Sequence, residues 1–328
     1  MPFRKSKQPD IQQLANGIKA GDRFMLSRAI TLVESRRHED IQLSGELIDQ
    51  VMPGTGNSLR VGITGVPGVG KSTFIEVLGL YLTGKGQKVA VLSIDPSSTR
   101  TRGSILGDKT RMDRLSRDEN AFIRPSPSGN HLGGVAQKTR EAMFLCEAAG
   151  FDIVIVETVG VGQSETAVKN MVDFFLLLAI VGGGDELQGI KRGIMEMADM
   201  VCINKIDDPE DVRGKKTARE FKQALHLFPP NPNQWTVPVQ TASALKNRGI
   251  EDCWKSILSY EQLTRHNGFF EQNRKQQNLE WFGEALKSKL IDEFYAQEGM
   301  KEKIKKTEEA ISSGQLSVRK GIDLLYEK

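Results

Sequence analysis

Residues 61–73 combine glycines, a lysine and two hydroxyl side chains in a spacing that suits phosphate binding. They read Val-Gly-Ile-Thr-Gly-Val-Pro-Gly-Val-Gly-Lys-Ser-Thr and fit the pattern G-x-x-x-x-G-K-[ST]. The glycines let backbone N–H groups turn inward around phosphate oxygens, because no Cβ stands in the way. Lys71 is predicted to reach the β- and γ-phosphates as a catalytic group, and the Ser72 hydroxyl to ligate Mg²⁺. The predicted phosphate contacts are Gly65, Val66, Pro67, Gly68, Val69, Gly70, Lys71, Ser72 and Thr73.

This loop has the neighbours that the motif requires. Residues 59–64 are apolar and β-branched, which predicts a strand, and residues 72–82 carry a helical pattern that ends at Gly84. A helix that starts at the loop adds its partial positive charge to a phosphate site. The alternative is an ordinary glycine turn between a strand and a helix, and the number of constrained positions in the motif argues against it.

The stretch Asn204-Lys205-Ile206-Asp207 at a predicted strand end indicates which purine is bound. An Asp carboxylate can accept hydrogen bonds from guanine N1–H and N2–H₂, and adenine has no donor at those positions. A site built to pair with such donors rejects an analogue that lacks them by a large factor. The stem of Lys205 can lie along the base, and Asn204 can brace the loops. The alternative is a charged turn before a helix. A second guanine-binding segment is predicted one strand later, at Ser243, Ala244 and Leu245.

Three carboxylates stand where a metal or the attacking water would be held. Asp95 ends the strand after the phosphate loop, and it could bind a metal-bound water or orient the attacking one. Glu157 ends a later strand, and Glu157-x-x-Gly160 stands where many GTPases have Asp-x-x-Gly. Glu157 is predicted to hold Mg²⁺ through water, and Gly160 to give its N–H to the γ-phosphate. Asp108 lies in a polar segment, where a metal ligand and a helix N-cap are both open.

Apolar strand patterns alternate with helical patterns between residues 58 and 266, and most of the predicted strands are apolar on both faces. This arrangement is typical of an α/β fold with a mainly parallel sheet flanked by helices. The candidate site residues follow the carboxyl ends of strands, where open α/β sheets bind ligands. We therefore predict a phosphate-loop NTPase fold. The predicted strands are 59–64, 88–94, 121–123, 151–156, 172–181, 200–203 and 235–239.

Helical patterns precede and follow this region, so we predict three parts: an N-terminal helical extension at 1–57, a nucleotide-binding domain at 58–266 and a C-terminal helical arm at 267–328. The arm is highly charged and carries one narrow apolar stripe. A narrow stripe suits either a hairpin packed on its own domain or a dimerisation seam between helices, and the sequence leaves both open. The stripe consists of Leu279, Phe282, Leu286, Leu290 and Phe294.

Composition excludes several other classes of protein. The net charge of the 328 residues is only +3, which argues against a nucleic-acid-binding protein dominated by phosphate contacts. Three scattered cysteines share no motif spacing, so neither a disulfide framework nor a zinc site is predicted. The longest apolar run, 174–181, is too short to cross a bilayer, and no signal peptide is evident at the N-terminus. A cytoplasmic enzyme that acts without a membrane is therefore the expectation.

Several segments together resemble one family. They are G-V-P-G-V-G-K-S-T, S-I-D-P-S-S, R-P-S-P-S-G with L-G-G-V-A, V-E-T-V-G-V-G-Q-S-E, G-G-G-D-E-L-Q-G-I-K-R-G-I and N-K-I-D. In these the chain resembles the methylmalonyl-CoA mutase-associated GTPases, the MeaB/ArgK group of SIMIBI-class GTPases, over nearly its whole length. The segments at 157–165 and 182–194 are specific to the group, because ordinary Ras-like GTPases carry Asp at the position of Glu157.

The resemblance implies a homodimeric, Mg²⁺-dependent GTPase that binds GTP and GDP. It implies a chaperone of an adenosylcobalamin-dependent methylmalonyl-CoA mutase, which gates cofactor loading and protects or reactivates the mutase. Residues 182–194 would form an additional switch that senses this partner, with Asp185, Glu186 and Lys191 as its candidate residues. One departure concerns the guanine loop, where Lys-Asn-Arg occupies 246–248 and glycine is more usual.

Other functions remain open at this point. A chaperone for a different acyl-CoA mutase, such as isobutyryl-CoA mutase, has the same motifs. A GTPase that delivers nickel or zinc would need a cysteine cluster or a histidine-rich tract, and four scattered histidines and three lone cysteines argue against it. A small-molecule kinase could use the same phosphate loop, but it would need a substrate pocket and would not be expected to carry an N-K-x-D motif. A nucleotide-binding adaptor that does not hydrolyse would be indicated if Glu157→Ala left single-turnover hydrolysis unchanged.

Overall fold

The computed structural model of this chain describes residues 10–35, 37–95, 112–127, 132–158, 164–181 and 192–326. In these residues seven strands form one sheet in the order β3-β2-β4-β1-β5-β6-β7, and all neighbouring strands run parallel. The predicted parallel sheet flanked by helices is confirmed. The strands are β1 (Leu59–Gly65), β2 (Val89–Asp95), β3 (Ala121–Pro127), β4 (Ile153–Thr158), β5 (Phe174–Ile180), β6 (Met200–Asn204) and β7 (Val239–Thr241).

Strands β1, β4, β5 and β6 are buried along almost their whole length, because helices cover both faces of this sheet. The first three helices precede the sheet, and the last three follow its final crossover. The helices are α1 (Ile11–Lys19), α2 (Arg23–Glu34), α3 (His38–Val51), α4 (Lys71–Thr83), α5 (Asp113–Ser116), α6 (Leu132–Ala148), α7 (Ser164–Lys169), α8 (Arg192–Met197), α9 (Val212–Leu225), α10 (Ile250–His266), α11 (Phe269–Ala296), α12 (Met300–Ser312) and α13 (Val318–Tyr326).

The two faces of the sheet carry separate apolar clusters. On one face, alternate residues such as Val154 and Val156 pack with α6 and α7 and with the three N-terminal helices. On the other face, Ile153 and Ile155 pack with α4 and α10. The N-terminal helices have ordinary local signals, since Asp22 Oδ1 accepts hydrogen bonds from the first turn of α2. The period of two along each strand therefore decides which helices a side chain meets.

The last strand differs from its prediction. We predicted a strand at 235–239, but the structure places β7 at Val239–Thr241. Pro238 has no N–H to give to a ladder, and Trp235 instead uses its indole N–H to bond Asp199 O at 2.7 Å. The Trp235 ring packs edge-on against Tyr260, with their centroids 5.4 Å apart. Trp235 therefore packs against the core through its ring instead of extending the sheet.

The chain divides into two compact units, residues 1–277 and 278–328. The first contains the sheet, the N-terminal helices and the start of α11. The second contains the rest of α11, with α12 and α13, and its apolar stripe is exposed at Leu279, Phe282, Leu286 and Leu290. Within this unit, Gly321 of α13 lies against Ile311 and Thr307 of α12. None of the described helices is long and apolar enough to cross a membrane.

Candidate active site

The phosphate loop begins where β1 ends, and its backbone requires glycine at two positions. Gly65 has φ +152°, and a Cβ there would lie 2.5 Å from Leu178 O on the neighbouring strand. Gly70 has φ +94°, and a Cβ there would lie 2.9 Å from Asn204 Nδ2. No other residue fits either position without displacing the backbone or the guanine-loop asparagine. The next residue, Lys71, starts α4, so the loop ends at a helix N-terminus as predicted.

Lys71 is buried and folded back onto its own loop. Its Nζ donates hydrogen bonds to Gly65 O at 2.7 Å and to Val66 O at 3.3 Å. Burial lowers the pKa of Lys71 below its usual value, and the negative charges of Glu157 and Glu165 partly oppose this shift. The ammonium group therefore interacts with carbonyl dipoles and nearby carboxylates, and phosphate oxygens could replace these carbonyl partners.

Glu157 and Ser72 lie together beside this lysine. Ser72 Oγ donates to Glu157 Oε1 at 3.2 Å, and Ser93 Oγ of the neighbouring strand donates to Glu157 Oε2 at 3.2 Å. Glu157 is the penultimate residue of β4 and is almost fully buried. Two residues predicted as metal ligands, one on α4 and one on β4, are thus brought into direct contact by the fold.

These two groups fit Mg²⁺ by the chemistry of their oxygen atoms. Mg²⁺ prefers oxygen donors, keeps several waters and is usually held by one or two protein groups together with substrate phosphates. Among the described residues, no group of three or more His, Cys, Asp or Glu side chains could form a cage made by the protein alone. A hydroxyl and one carboxylate at the end of a phosphate loop match the first arrangement.

The loops predicted to bind guanine are braced against the phosphate loop by Asn204. Its Nδ2 donates to Val69 O at 3.0 Å, and its Oδ1 accepts from Ala244 N at 3.2 Å. Asp207 Oδ1 accepts from Ser243 Oγ at 2.5 Å, so the carboxylate predicted to read guanine is held in place. Lys205 has φ +64°, an uncommon conformation for a residue with a side chain. Asn204 thus couples the loop predicted to read the base to the phosphate loop.

The second guanine segment closes on itself. Ser243 and Arg248 form an isolated antiparallel bridge, and Lys246 N donates to Ser243 Oγ at 3.1 Å. Asn247 has φ +50°, in the left-handed region that asparagine tolerates better than most residues. This explains how the loop forms although glycine is absent from 246–248. Leu245 is exposed, with its side chain in solvent.

Several predicted site residues lie outside the described part of the chain. They are Asp108, Gly160, Asp185, Glu186 and Lys191. Asp95 is described only in its backbone, which ends β2 in register with Pro127 of β3. The predicted roles of these residues remain predictions.

One residue of this site was missed by the sequence prediction. Glu165 in the first turn of α7 is only 3% exposed, and its Oε2 has no hydrogen-bond partner among the described residues. It stands three residues before buried Val168, which packs where Gly62 of β1 leaves room. The spacing to Val168 places Glu165 on the sheet-facing side of the helix, and this was the available signal. Its charge acts on Lys71.

Comparisons with known proteins agree with this geometry. The family model described as "Methylmalonyl Co-A mutase-associated GTPase MeaB" matches residues 26–299. GTPase ArgK of Escherichia coli is 48% identical over 311 residues, which are 94% of each chain. The mouse protein called methylmalonic aciduria type A homolog, mitochondrial, is 42% identical over 98% of this chain and 80% of its own length.

A solved structure gives the same result for the fold. The crystal structure described as LAO/AO transport system kinase superposes with a TM-score of 0.76 at 39% identity, covering 98% of both chains. The sheet, the phosphate loop and the loops predicted to bind guanine therefore occur together in a chain whose relatives are named as GTPases. The chain belongs to the family of methylmalonyl-CoA mutase-associated GTPases, and it is a GTPase.

Proposed function

We propose that this GTPase requires Mg²⁺ and acts as a chaperone of an adenosylcobalamin-dependent methylmalonyl-CoA mutase, gating cofactor loading and protecting or reactivating the mutase. The observation that carries the proposal is the pair formed by Ser72 and Glu157 below the phosphate loop, next to a guanine loop braced by Asn204. The family name supports the choice of partner.

The residues of the chain divide the work of hydrolysis. Lys71 leaves the carbonyls of Gly65 and Val66 and places its charge on the β- and γ-phosphates. Ser72 and Glu157 would hold Mg²⁺, which would supply positive charge to the phosphates. Asp207 pairs with the guanine N–H groups, and its bond from Ser243 keeps the carboxylate oriented. Asp95 and Asp108 complete the metal and water contacts in this proposal, and Gly160 donates to the γ-phosphate.

In this proposal the bound nucleotide controls the affinity for the mutase through residues 182–194. We assign this role to Asp185, Glu186 and Lys191. The nucleotide can shift mutase affinity only by its differential affinity for the two states, typically about 1–3 kcal/mol of coupling. The mutase must then change nucleotide affinity by the same factor. GTP hydrolysis without the partner is expected to be slow, because our proposal includes no arginine that stabilises the charge on the transferred phosphate.

We also propose that the chain works as a homodimer formed by its C-terminal arm. The stripe Leu279, Phe282, Leu286 and Leu290 is exposed along α11 within the second unit. A row of apolar side chains on an otherwise charged helix is a feature of helix–helix seams. Replacing Phe282 by Glu should produce a monomer in light scattering, and Glu284→Lys on the same helix should remain a dimer.

The test is GTP turnover with and without a cobalamin-dependent methylmalonyl-CoA mutase, with ATP as the control nucleotide. Stimulation of GTP turnover by the mutase, and none with ATP, supports both the nucleotide and the partner. GTP turnover that ignores this mutase, but responds to an isobutyryl-CoA mutase, would move the client to another acyl-CoA mutase. Equal use of ATP would contradict the role of Asp207.

The metal-delivery alternative has no support in the described residues. Cys146, Cys202 and Cys253 are all buried, and burial raises the pKa of the Cys146 thiol. Thiolate is the form that binds metals, so a buried thiol with a raised pKa is a poor ligand. We therefore do not propose a metallochaperone.

A further inference from the structure

The sheet ends in an open strand. β7 is last in the strand order and, among the described strands, pairs with β6 alone, with Val239 opposite Val201 and Thr241 opposite Ile203. Pro238 O accepts from Val201 N, and Ala242 N donates to Ile203 O, so these flanking residues face β6. Because backbone groups alternate between the two sides of a strand, Val239 directs its N–H and C=O toward the open side. In the described part of the chain, no strand covers this side.

A groove runs along this open strand. One cavity of about 530 Å³ is lined by Lys215, Arg219 and Lys222 of α9. A second, of about 850 Å³, is lined mainly by apolar residues that include Phe228 and Trp235, together with polar ones that include Glu196 and His226. The two cavities share Lys222, Val239 and Gln240, so they form one continuous groove with a basic end and an apolar end.

The cations at the basic end are available to a ligand. Neither Arg219 nor Lys222 has an acidic partner within ion-pair distance among the described residues, whereas Lys215 pairs with Glu210. Arg219 and Lys222 are three residues apart and therefore neighbours on one side of α9. The opposite wall contributes one carboxylate, Asp252, which already faces Lys255 at 3.6 Å. Glu196 lines the second cavity, so the free positive charge of the groove is confined to its basic end.

We propose that this groove binds an extended acidic segment of a partner protein, which adds to β7 as an eighth strand. The open backbone groups of Val239 would pair with the main chain of the segment, as in strand addition to other sheet edges. Alternate side chains of the segment then point toward α9, where Arg219 and Lys222 form ion pairs with its carboxylates. The apolar cavity binds one bulky side chain of the segment. A small anion would use the cations but not the open backbone groups.

The length of β7 limits this interaction. Three residues offer only two or three main-chain hydrogen bonds, so the side-chain pockets must supply most of the selectivity. Pro238 at the start of the strand restricts longer pairing, which also protects the edge from aggregation. The site lies at the edge of the sheet away from the phosphate loop. The proposal therefore goes beyond the proposed function and does not depend on it.

The experiment uses the full chain and two fluorescein-labelled peptides, Phe-Thr-Glu-Thr-Glu and Glu-Thr-Glu-Thr-Phe, because the structure does not set the direction of the added strand. Fluorescence anisotropy should give saturable binding for one of them. Arg219→Glu should weaken that binding by about tenfold or more, because a charge pair becomes a charge repulsion. Lys216→Glu is the matched control, since Lys216 is also exposed on α9 but lines neither cavity, and it should leave binding within about twofold.

Backbone pairing is tested by methylating single peptide nitrogens. Only alternate residues of an added strand face β7, so methylation of one amide should abolish binding and methylation of the next should not. Equal effects at both amides, equal effects of Arg219→Glu and Lys216→Glu, or no saturable binding of either peptide would each overturn the proposal. Unchanged GTP hydrolysis in both variants shows that each is folded.

Discussion

The amino and carboxyl ends of the central strands both bury charged side chains, but they pair them differently. At the amino ends, Arg60 donates to both oxygens of Glu147, at 2.6 and 3.0 Å. Asp173 accepts from Arg274 at 2.6 Å, and Asp199 accepts from Lys169 at 2.6 Å. Each buried carboxylate there faces a cation of the same chain, so the charge is neutralised by the fold itself.

At the carboxyl ends the pairing is different. Glu157 accepts hydrogen bonds from two serine hydroxyls, Lys71 donates to backbone carbonyls, and Glu165 has an oxygen without a partner among the described residues. A buried carboxylate oxygen without a hydrogen-bond partner among the described residues, such as Glu165 Oε2, is costly unless a ligand completes it. The difference indicates that the charged groups at the amino ends stabilise the fold. The charged groups at the carboxyl ends can still bind phosphate, metal or water.

The largest expected effect breaks the amino-end network. Glu147→Ala removes the carboxylate that receives Arg60 and also Gly56 N at 2.9 Å, and it leaves the arginine buried. Breaking one partner of a buried pair typically costs about 3–5 kcal/mol of the free energy of unfolding. Urea unfolding measures it, with Asp113→Ala as control, because the Asp113–Arg117 pair is exposed and should contribute less than about 1 kcal/mol. Equal effects of the two variants would contradict the structural role of the amino end.

The second prediction concerns the carboxyl end and separates activity from stability. Lys71→Ala should lower kcat for GTP by about 10²–10³-fold, as expected for loss of one positive group at the reacting phosphates. The free energy of unfolding should not fall, because a buried ammonium is removed together with its desolvation cost. Single-turnover hydrolysis and urea unfolding of the same variant give both numbers. A variant that loses stability as well as activity would show that both ends of the sheet serve the architecture.

The same comparison explains how much could be predicted from the sequence. The phosphate loop and the N-K-x-D segment are local, so their residues and order were readable. Ser72 does meet Glu157 in the fold, and Asn204 contacts the phosphate loop. The parallel sheet followed from strands that are apolar on both faces. The amino-end network was not predicted, since Arg60 and Glu147 are far apart in sequence and no motif joins them.

Two further features were missed for different reasons. The apolar stretch 235–238 resembles a strand by composition, but Trp235 bonds Asp199 O through its indole, and Pro238 reaches β6 only through its carbonyl oxygen. Glu165 was missed because its helix is only six residues long and too short for a clear period. Short elements and long-range charge pairs take their meaning from tertiary contacts, which local patterns do not contain.

The third prediction uses Glu165 to sharpen the comparison. Glu165→Gln keeps the size of the side chain but removes a buried charge near Lys71, and so the free energy of unfolding should rise by about 1 kcal/mol. If the charge serves the phosphate site, kcat should fall by about tenfold with little change in KM. The control is Glu196→Gln, where the carboxylate is exposed and neither value should change. A stabilised variant with full activity would show that Glu165 is not part of the site.

The smallest effect is a pH dependence at Lys71. Burial lowers its pKa in the folded chain, so between that lowered pKa and the usual value of 10.5 the unfolded chain binds more protons than the folded chain. Stability contributed by this site should therefore rise with pH across that window, because the folded lysine is already neutral there. GTP affinity should fall across the same window as Lys71 loses its charge. The measurement is the difference in unfolding free energy between wild type and Lys71→Met at several pH values up to about 10.5. A difference that stays constant, or that changes in the opposite direction, would show that burial of this lysine does not set its charge state.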